Sequence, residues 1–134
     1  MSSQFSGTTM LRDAVSVTVG AGAAAPSVAE IAVHGSWSIR LGLEVTAALR
    51  DCFASRPSVV IADLHALADD DAASLPLWLA ARRAANVLRP PARLVLCLPA
   101  ETVLRTRLQR IGAGRLPLYS SMAEARAAAD PPAG

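Results

Sequence analysis

Two short apolar runs constrain this chain more than any other feature. Residues 58–64 read SVVIADL and residues 92–99 read ARLVLCLP. Neither alternates apolar with polar residues. A strand with one wet face alternates with a period of two, whereas a strand covered on both faces is apolar throughout. Between the two runs lies a helical pattern over about 74–88, stopped by the Arg-Pro-Pro at 89–91. Strand, helix and strand in this order form a parallel crossover unit, and a sheet of such units has its faces covered by helices.

The alternation continues outward from this unit. β-Branched runs at 15–19 and 28–33 flank a Gly/Ala/Pro stretch that suits a hairpin connection longer than two residues. Gly35 is expected to end the second of these strands. In the segment 38–55, Leu41, Val45, Ala48, Leu49 and Cys52 recur at spacings of three and four, a helical stripe. Pro57 closes that helix from just beyond its end. A further helix is expected in ETVLRTRLQRIGA, 101–113. Glu101 in its first turn and Arg110 near its end would suit the helix dipole, with Gly112 or Gly114 as terminator. A short strand in 115–121 and a helix at 121–129 complete the chain. Ser121 and Glu124 there have capping-box spacing.

The expected architecture is α/β: a mixed sheet with a parallel core and about four packed helices, in a single domain over 14–129. Residues 1–13 and 130–134 are read as tails. A length of 134 residues suits one domain and supports a core without disulfides or metal. Aromatics make up only 4% of the chain, so Ala, Leu and Val must build that core. All 13 basic residues are Arg, and a net charge of +2 is too small for long-range attraction to nucleic acid or an anionic membrane. Arg82, Arg83, Arg105, Arg107 and Arg110 are read as solvated helix faces, with no interleaved aromatics to make a nucleic-acid groove. No apolar run approaches the ~20 residues of a membrane span. The first 13 residues lack a signal-type apolar segment with a small-residue cleavage site. A cytoplasmic location is expected. Cys52 and Cys97 have no metal-type spacing and read as buried free thiols.

The segment 62–79, ADLHALADDDAASLPLWL, holds the densest chemistry. Pro76 has no N–H and clashes inside a helix, so the helix should begin near Ser74 with Pro76 in its first turn. Ser74 is then expected to cap the helix through its hydroxyl, worth about 1 kcal/mol. The competing role for Ser74 is phosphoacceptor. A helix N-terminus favours phosphate, while the nearby Asp69, Asp70 and Asp71 oppose its added charge. Consecutive acids rarely converge on one cation, so these three are read as a solvated loop that meets a partner. Asp63, His65 and Ser74 lack the G-x-S-x-G elbow of a hydrolase, and no histidine cluster supports zinc. No catalytic residue, metal or cofactor is assigned, and the chain is not read as an enzyme. Core packing is the default for both Trp37 and Trp78.

A resemblance sharpens this reading. The segments VHGSW at 33–37, VVIADLHAL at 59–67, LAARRAANVLRPPARLVLCLPAETVLRTRLQRIGA at 79–113 and LPLYSSMAEA at 116–125 carry it. Over 14–129 the chain resembles the STAS domain (sulfate transporter and anti-sigma factor antagonist) of the stand-alone bacterial kind. The family's Asp-Ser-Ser-Gly-Leu motif falls on Asp71-Ala72-Ala73-Ser74-Leu75. Acid and leucine match, but both hydroxyl positions are alanine and the glycine is Ser74. A second family acid after the glycine of the second strand is absent from Gly35-Ser36-Trp37-Ser38.

The resemblance implies a regulator that docks on an anti-sigma factor of kinase-like ATP-binding fold and frees a sigma factor. The phosphoacceptor positions of its switch have been replaced. The implied contact residues are Ser36, Trp37 and Ser38 together with Asp69, Asp70, Asp71, Ala72, Ala73, Ser74, Leu75 and Trp78. Trp37, in the first of these segments, is either core or partly exposed at the docking site. The protein would be a monomer or weak dimer. Two other readings stay open: a STAS module that senses a small molecule or nucleotide, and a constitutive scaffold in a signalling complex.

Overall fold

The computed structural model describes residues 14–20, 28–111 and 116–129. Strands β1 (Ala14–Gly20) and β2 (Val28–Ser36) pair antiparallel, from Ala14 opposite His34 to Gly20 opposite Val28. The expected hairpin connection at 21–27, both tails, and Gly112 and Gly114 lie outside the described residues. After β2 the chain runs through α1 (Ile39–Ala54), β3 (Val59–Asp63), β4 (Leu67–Ala68) and α2 (Leu75–Val87). It continues through β5 (Arg93–Cys97), α3 (Val103–Arg110), β6 (Leu118–Tyr119) and α4 (Met122–Ala129).

The sheet order is β1-β2-β3-β5-β6, and every pairing from β2 onward is parallel. The fold is α/β, as the continuous apolar runs require. β3 is the central strand, and Val59, Val60, Ile61 and Ala62 are all buried. Successive crossovers in a parallel sheet share one hand. The chain steps in one direction from β2 to β6, so α1, α2 and α3 fall on the same face. There Leu41, Val45, Leu49, Trp78, Leu104 and Leu108 pack on Ile31, Val33, Val60, Ala62, Leu94 and Leu96. The opposite face is covered by α4, whose Ala125 packs with Val59, Ile61, Val95 and Cys97. On the same face Glu30 of β2 takes Arg126 of α4 in a bidentate ion pair at 2.8 and 2.9 Å.

Three local expectations change. β2 continues through Gly35 to Ser36 because β4, which no periodicity announced, pairs with its end. Gly35 sits at φ 103, a backbone conformation that glycine adopts without strain. Glu101 lies outside the first turn of α3, since Thr102 is the cap and accepts from Arg105 N at 3.3 Å. Arg107 and Arg110 do occupy the last turn. Arg105 is not a solvated face residue: its Nη1 donates to the Leu98 carbonyl and to Ser120 Oγ, both at 3.0 Å. At α4, Ser121 Oγ accepts from Glu124 N at 3.1 Å. Among the described residues no helix is long and apolar enough to cross a membrane.

Candidate functional site

The two segments singled out in the sequence lie side by side at the carboxyl edge of the sheet. β4 places Gly35 opposite Leu67 and Ser36 opposite Ala68. Gly35 N donates to the Ala66 carbonyl at 3.0 Å and Trp37 N to the Ala68 carbonyl at 2.9 Å. The loop before α1 and the loop before α2 are thereby stitched into one surface. Ser38 begins α1 in extended conformation and its hydroxyl accepts from Leu41 N at 3.0 Å. The half-buried Trp37 ring lies over Gly42, where a Cβ would come within 3.1 Å of Cζ2. Ile39 and Leu43, one helical turn apart, are 86% and 67% exposed.

The start of α2 is built differently. Ser74 holds the cap position, but its backbone is already helical and its hydroxyl makes no capping bond. The cap expected of Ser74 is supplied by Asp69. One oxygen of that carboxylate accepts from Ala73 N at 2.8 Å and the other from Ser74 N at 2.9 Å. Ser74 Oγ donates to Asp69 Oδ2 at 2.5 Å and accepts from Trp78 Nε1 at 2.9 Å. This chain of bonds runs from the loop into the core, because both Ser74 and Trp78 are 0% exposed. Ala72 turns the loop inward at φ 56 with its methyl buried. A non-glycine residue in that region costs about 1–2 kcal/mol, and the Asp69 bonds to the next two amides hold it there.

A third cluster lies across the edge of β3 and β5, on the face that α4 covers. Asp63 and Cys97 are partners in the parallel ladder. His65 folds back over them: Asp63 Oδ1 accepts from His65 N at 3.1 Å and lies 2.8 Å from His65 Nδ1. His65 Nε2 lies 2.8 Å from the Ser120 carbonyl, and Cys97 Sγ lies 3.8 Å from Nδ1. A carbonyl and a carboxylate can only accept, so the charged form of the ring, with both nitrogens donating, satisfies both contacts. The hydrogen bond to Asp63 is the main reason that the His65 pKa is raised. Burial, and then the Asp63 charge, push the Cys97 thiol up to about 11.

A cleft opens beside the Asp69 loop, lined by Leu64, Leu67, Leu98, Val103 and Leu104 with Asp69, Asp70, Glu101 and Thr102.

No family model matches the sequence, and no curated protein matches it. Solved structures do match it. One is the crystal structure of an anti-sigma factor antagonist from Mycobacterium paratuberculosis. The match covers 87% of this chain and 94% of that one, with a TM-score of 0.65 at 18% identity. The chain has the fold of an anti-sigma factor antagonist.

On this STAS-type fold the residues expected at a docking site separate by burial. Ser36, Ser38, Asp70, Asp71 and Ala73 are exposed. Trp37, Asp69 and Leu75 are half-buried, and Ala72, Ser74 and Trp78 are buried. Trp78 is therefore a core residue and offers no surface to a partner. Asp69 is not a solvated acid, because its carboxylate serves the backbone of its own loop. Ser74 is enclosed between Asp69 and Trp78, away from Asp63 and His65. The convergence of Asp63, His65 and Cys97 was not foreseen from sequence. The only hint is that Asp63 and Cys97 each close an apolar strand, and their pairing depends on a register that one sequence does not state.

Proposed function

We propose that the chain is a regulatory binding protein rather than an enzyme, acting in the cytoplasm. It docks on an anti-sigma factor of kinase-like ATP-binding fold and thereby frees a sigma factor. The observation that carries this reading is β4. It brings the segment of Ser36 and Ser38 beside that of Asp70, Asp71 and Ala73, all five exposed, on a fold shared with an anti-sigma factor antagonist. Docking runs without control by phosphate on Ser74. That hydroxyl is 0% exposed and already bonded on both sides, and a kinase needs a hydroxyl it can reach.

The nucleotide-sensing reading has less support. The cleft beside the loop is lined by Asp69, Asp70 and Glu101 and by no basic residue, a charge pattern that repels phosphate.

The test is a binding assay with ATP-binding-fold anti-sigma factors from the source cell. The wild-type chain is compared with a charge-reversed edge, Asp70→Arg with Asp71→Arg. Wild type should bind one such protein and the variant should lose it, with ATP making no difference and intact mass showing no phosphate on Ser74. Equal binding by both forms would move the interface elsewhere. A phosphate mapped to Ser74 would restore the switch.

A further inference from the structure

We propose that Asp63, His65 and Cys97 form a site for a borderline transition-metal dication, with Zn²⁺ as the type. Its ligands are Asp63 Oδ1, His65 Nδ1 and Cys97 Sγ. The site lies on the α4 side of the sheet and does not rest on the docking reading.

Carboxylate, imidazole and thiolate are the three donor types that zinc takes. Here one of each converges from two adjacent strand ends, and the three ligand atoms all lie within 4.8 Å of one another. A tetrahedral zinc with bonds of about 2.0–2.3 Å spaces its ligands about 3.2–3.8 Å apart. The 3.8 Å from Cys97 Sγ to His65 Nδ1 already fits that edge. The 2.8 Å from Asp63 Oδ1 to Nδ1 is the length of a hydrogen bond whose proton the metal replaces. That edge opens by about 0.5 Å on binding.

The surrounding bonds suit this role. A metal-bound histidine characteristically donates its other N–H to a carbonyl or carboxylate, which fixes the tautomer and the ring plane. His65 Nε2 has the Ser120 carbonyl at 2.8 Å for that purpose. Ser120 is in turn held by Arg105 through its hydroxyl at 3.0 Å. Cys97 is fully buried, but the His65 side chain is 38% exposed, so the ion enters from the histidine side and water completes the fourth position.

Charge balance is favourable. A dication beside a thiol deprotonates it. Binding M²⁺ releases the Cys97 S–H proton and the His65 Nδ1 proton, so two positive charges replace two. No redox partner is needed. The other charges near Cys97 are Arg105 from α3 and Glu124 and Arg126 from α4, and Arg126 is tied to Glu30.

The full chain, stripped with chelator and kept reduced, is titrated with Co²⁺ at neutral pH. Zn²⁺ is then added in competition. We expect one cobalt per chain, a thiolate-to-cobalt charge-transfer band, about two protons released per ion, and loss of the band to Zn²⁺. Cys97→Ser should abolish the band and Cys52→Ser should keep it. Because Cys97 is in the core, His65→Asn provides the second arm. That position is exposed, the variant should melt cooperatively, and its affinity should fall at least tenfold. Absence of a charge-transfer band at millimolar Co²⁺ overturns the site and leaves a hydrogen-bonded clamp. A band of unchanged affinity in folded His65→Asn overturns it equally.

Discussion

Helices α1 and α2 each begin at a serine, and these two serines do opposite things. Ser38 is extended and points its hydroxyl along α1 to the Leu41 amide. Ser74 is already helical and points its hydroxyl inward to Asp69 and to the indole of Trp78. The physical cause is the neighbourhood. No acid precedes Ser38 closely enough to reach the amides of α1, so the serine must satisfy one itself. Ahead of α2, the turn at Ala72 brings the Asp69 carboxylate onto the amides of Ala73 and Ser74. That releases the Ser74 hydroxyl for the core. A buried indole N–H needs an acceptor, and Ser74 supplies it. The α1 start is local and separable, while the α2 start is a tertiary network.

The largest expected effect is at Asp69. Asp69→Ala removes the acceptor of three hydrogen bonds and leaves two amides and a buried hydroxyl short of partners. It should destabilise the fold by about 2–4 kcal/mol, measured by urea unfolding. A loss under about 0.5 kcal/mol would mean that Asp69 is a solvated acid after all. Ser74→Ala should cost about 1–3 kcal/mol, because Trp78 Nε1–H is then buried without an acceptor. The double variant tests the network directly. Asp69→Ala with Ser74→Ala should fall short of the sum of the single losses by about 0.5–3 kcal/mol.

Ser38→Ala sharpens the contrast. It should cost about 1 kcal/mol, the ordinary value of a serine cap. Combined with Asp69→Ala it should be additive, within about 0.3–0.5 kcal/mol. Strong coupling between Ser38 and Asp69 would show that β4 binds the two helix starts into one unit.

Much of this was legible in the residues. The two continuous apolar runs gave the buried parallel strands, and the stripe Leu41, Val45, Leu49 and Cys52 gave the inner face of α1. β4 was not legible, because two residues show no periodicity. The roles of Asp69, Asp70 and Asp71 were not legible either. Three identical side chains in a row carry no mark of which one turns inward; the positive φ at Ala72 decides it. The resemblance aligned Asp71 with the family acid, yet Asp69 is the acid that holds the α2 start. Trp78 looked like a neighbour of the docking loop by sequence distance. One helical turn past Ser74, it shares that residue's inward face and lies in the core. The Asp63–His65–Cys97 cluster needed the register of β3 against β5, which only the folded sheet supplies.

The smallest effect on stability is expected at the acids that remain exposed, and it is also the sharpest functional test of the proposed docking edge. Asp70 and Asp71 are open to solvent. Asp70→Ala with Asp71→Ala should therefore leave unfolding free energy within about 0.5 kcal/mol of wild type. Exposed charges at an interface act mainly on encounter: they speed association with a partner of opposite charge and lose that effect as salt screens them. Stopped-flow association with the proposed anti-sigma factor partner should show a slower on-rate for the double variant at low salt. The two proteins should converge as salt rises, while dissociation stays nearly constant. Asp69→Ala should do the reverse, with lost stability and binding that weakens only as the loop unfolds. If the Asp70, Asp71 variant associated as fast as wild type at low salt, the acids that stay in water would have no part in recognition. The exposed edge at Ser36 and Ser38, with Ile39 and Leu43, would then have to carry the partner alone.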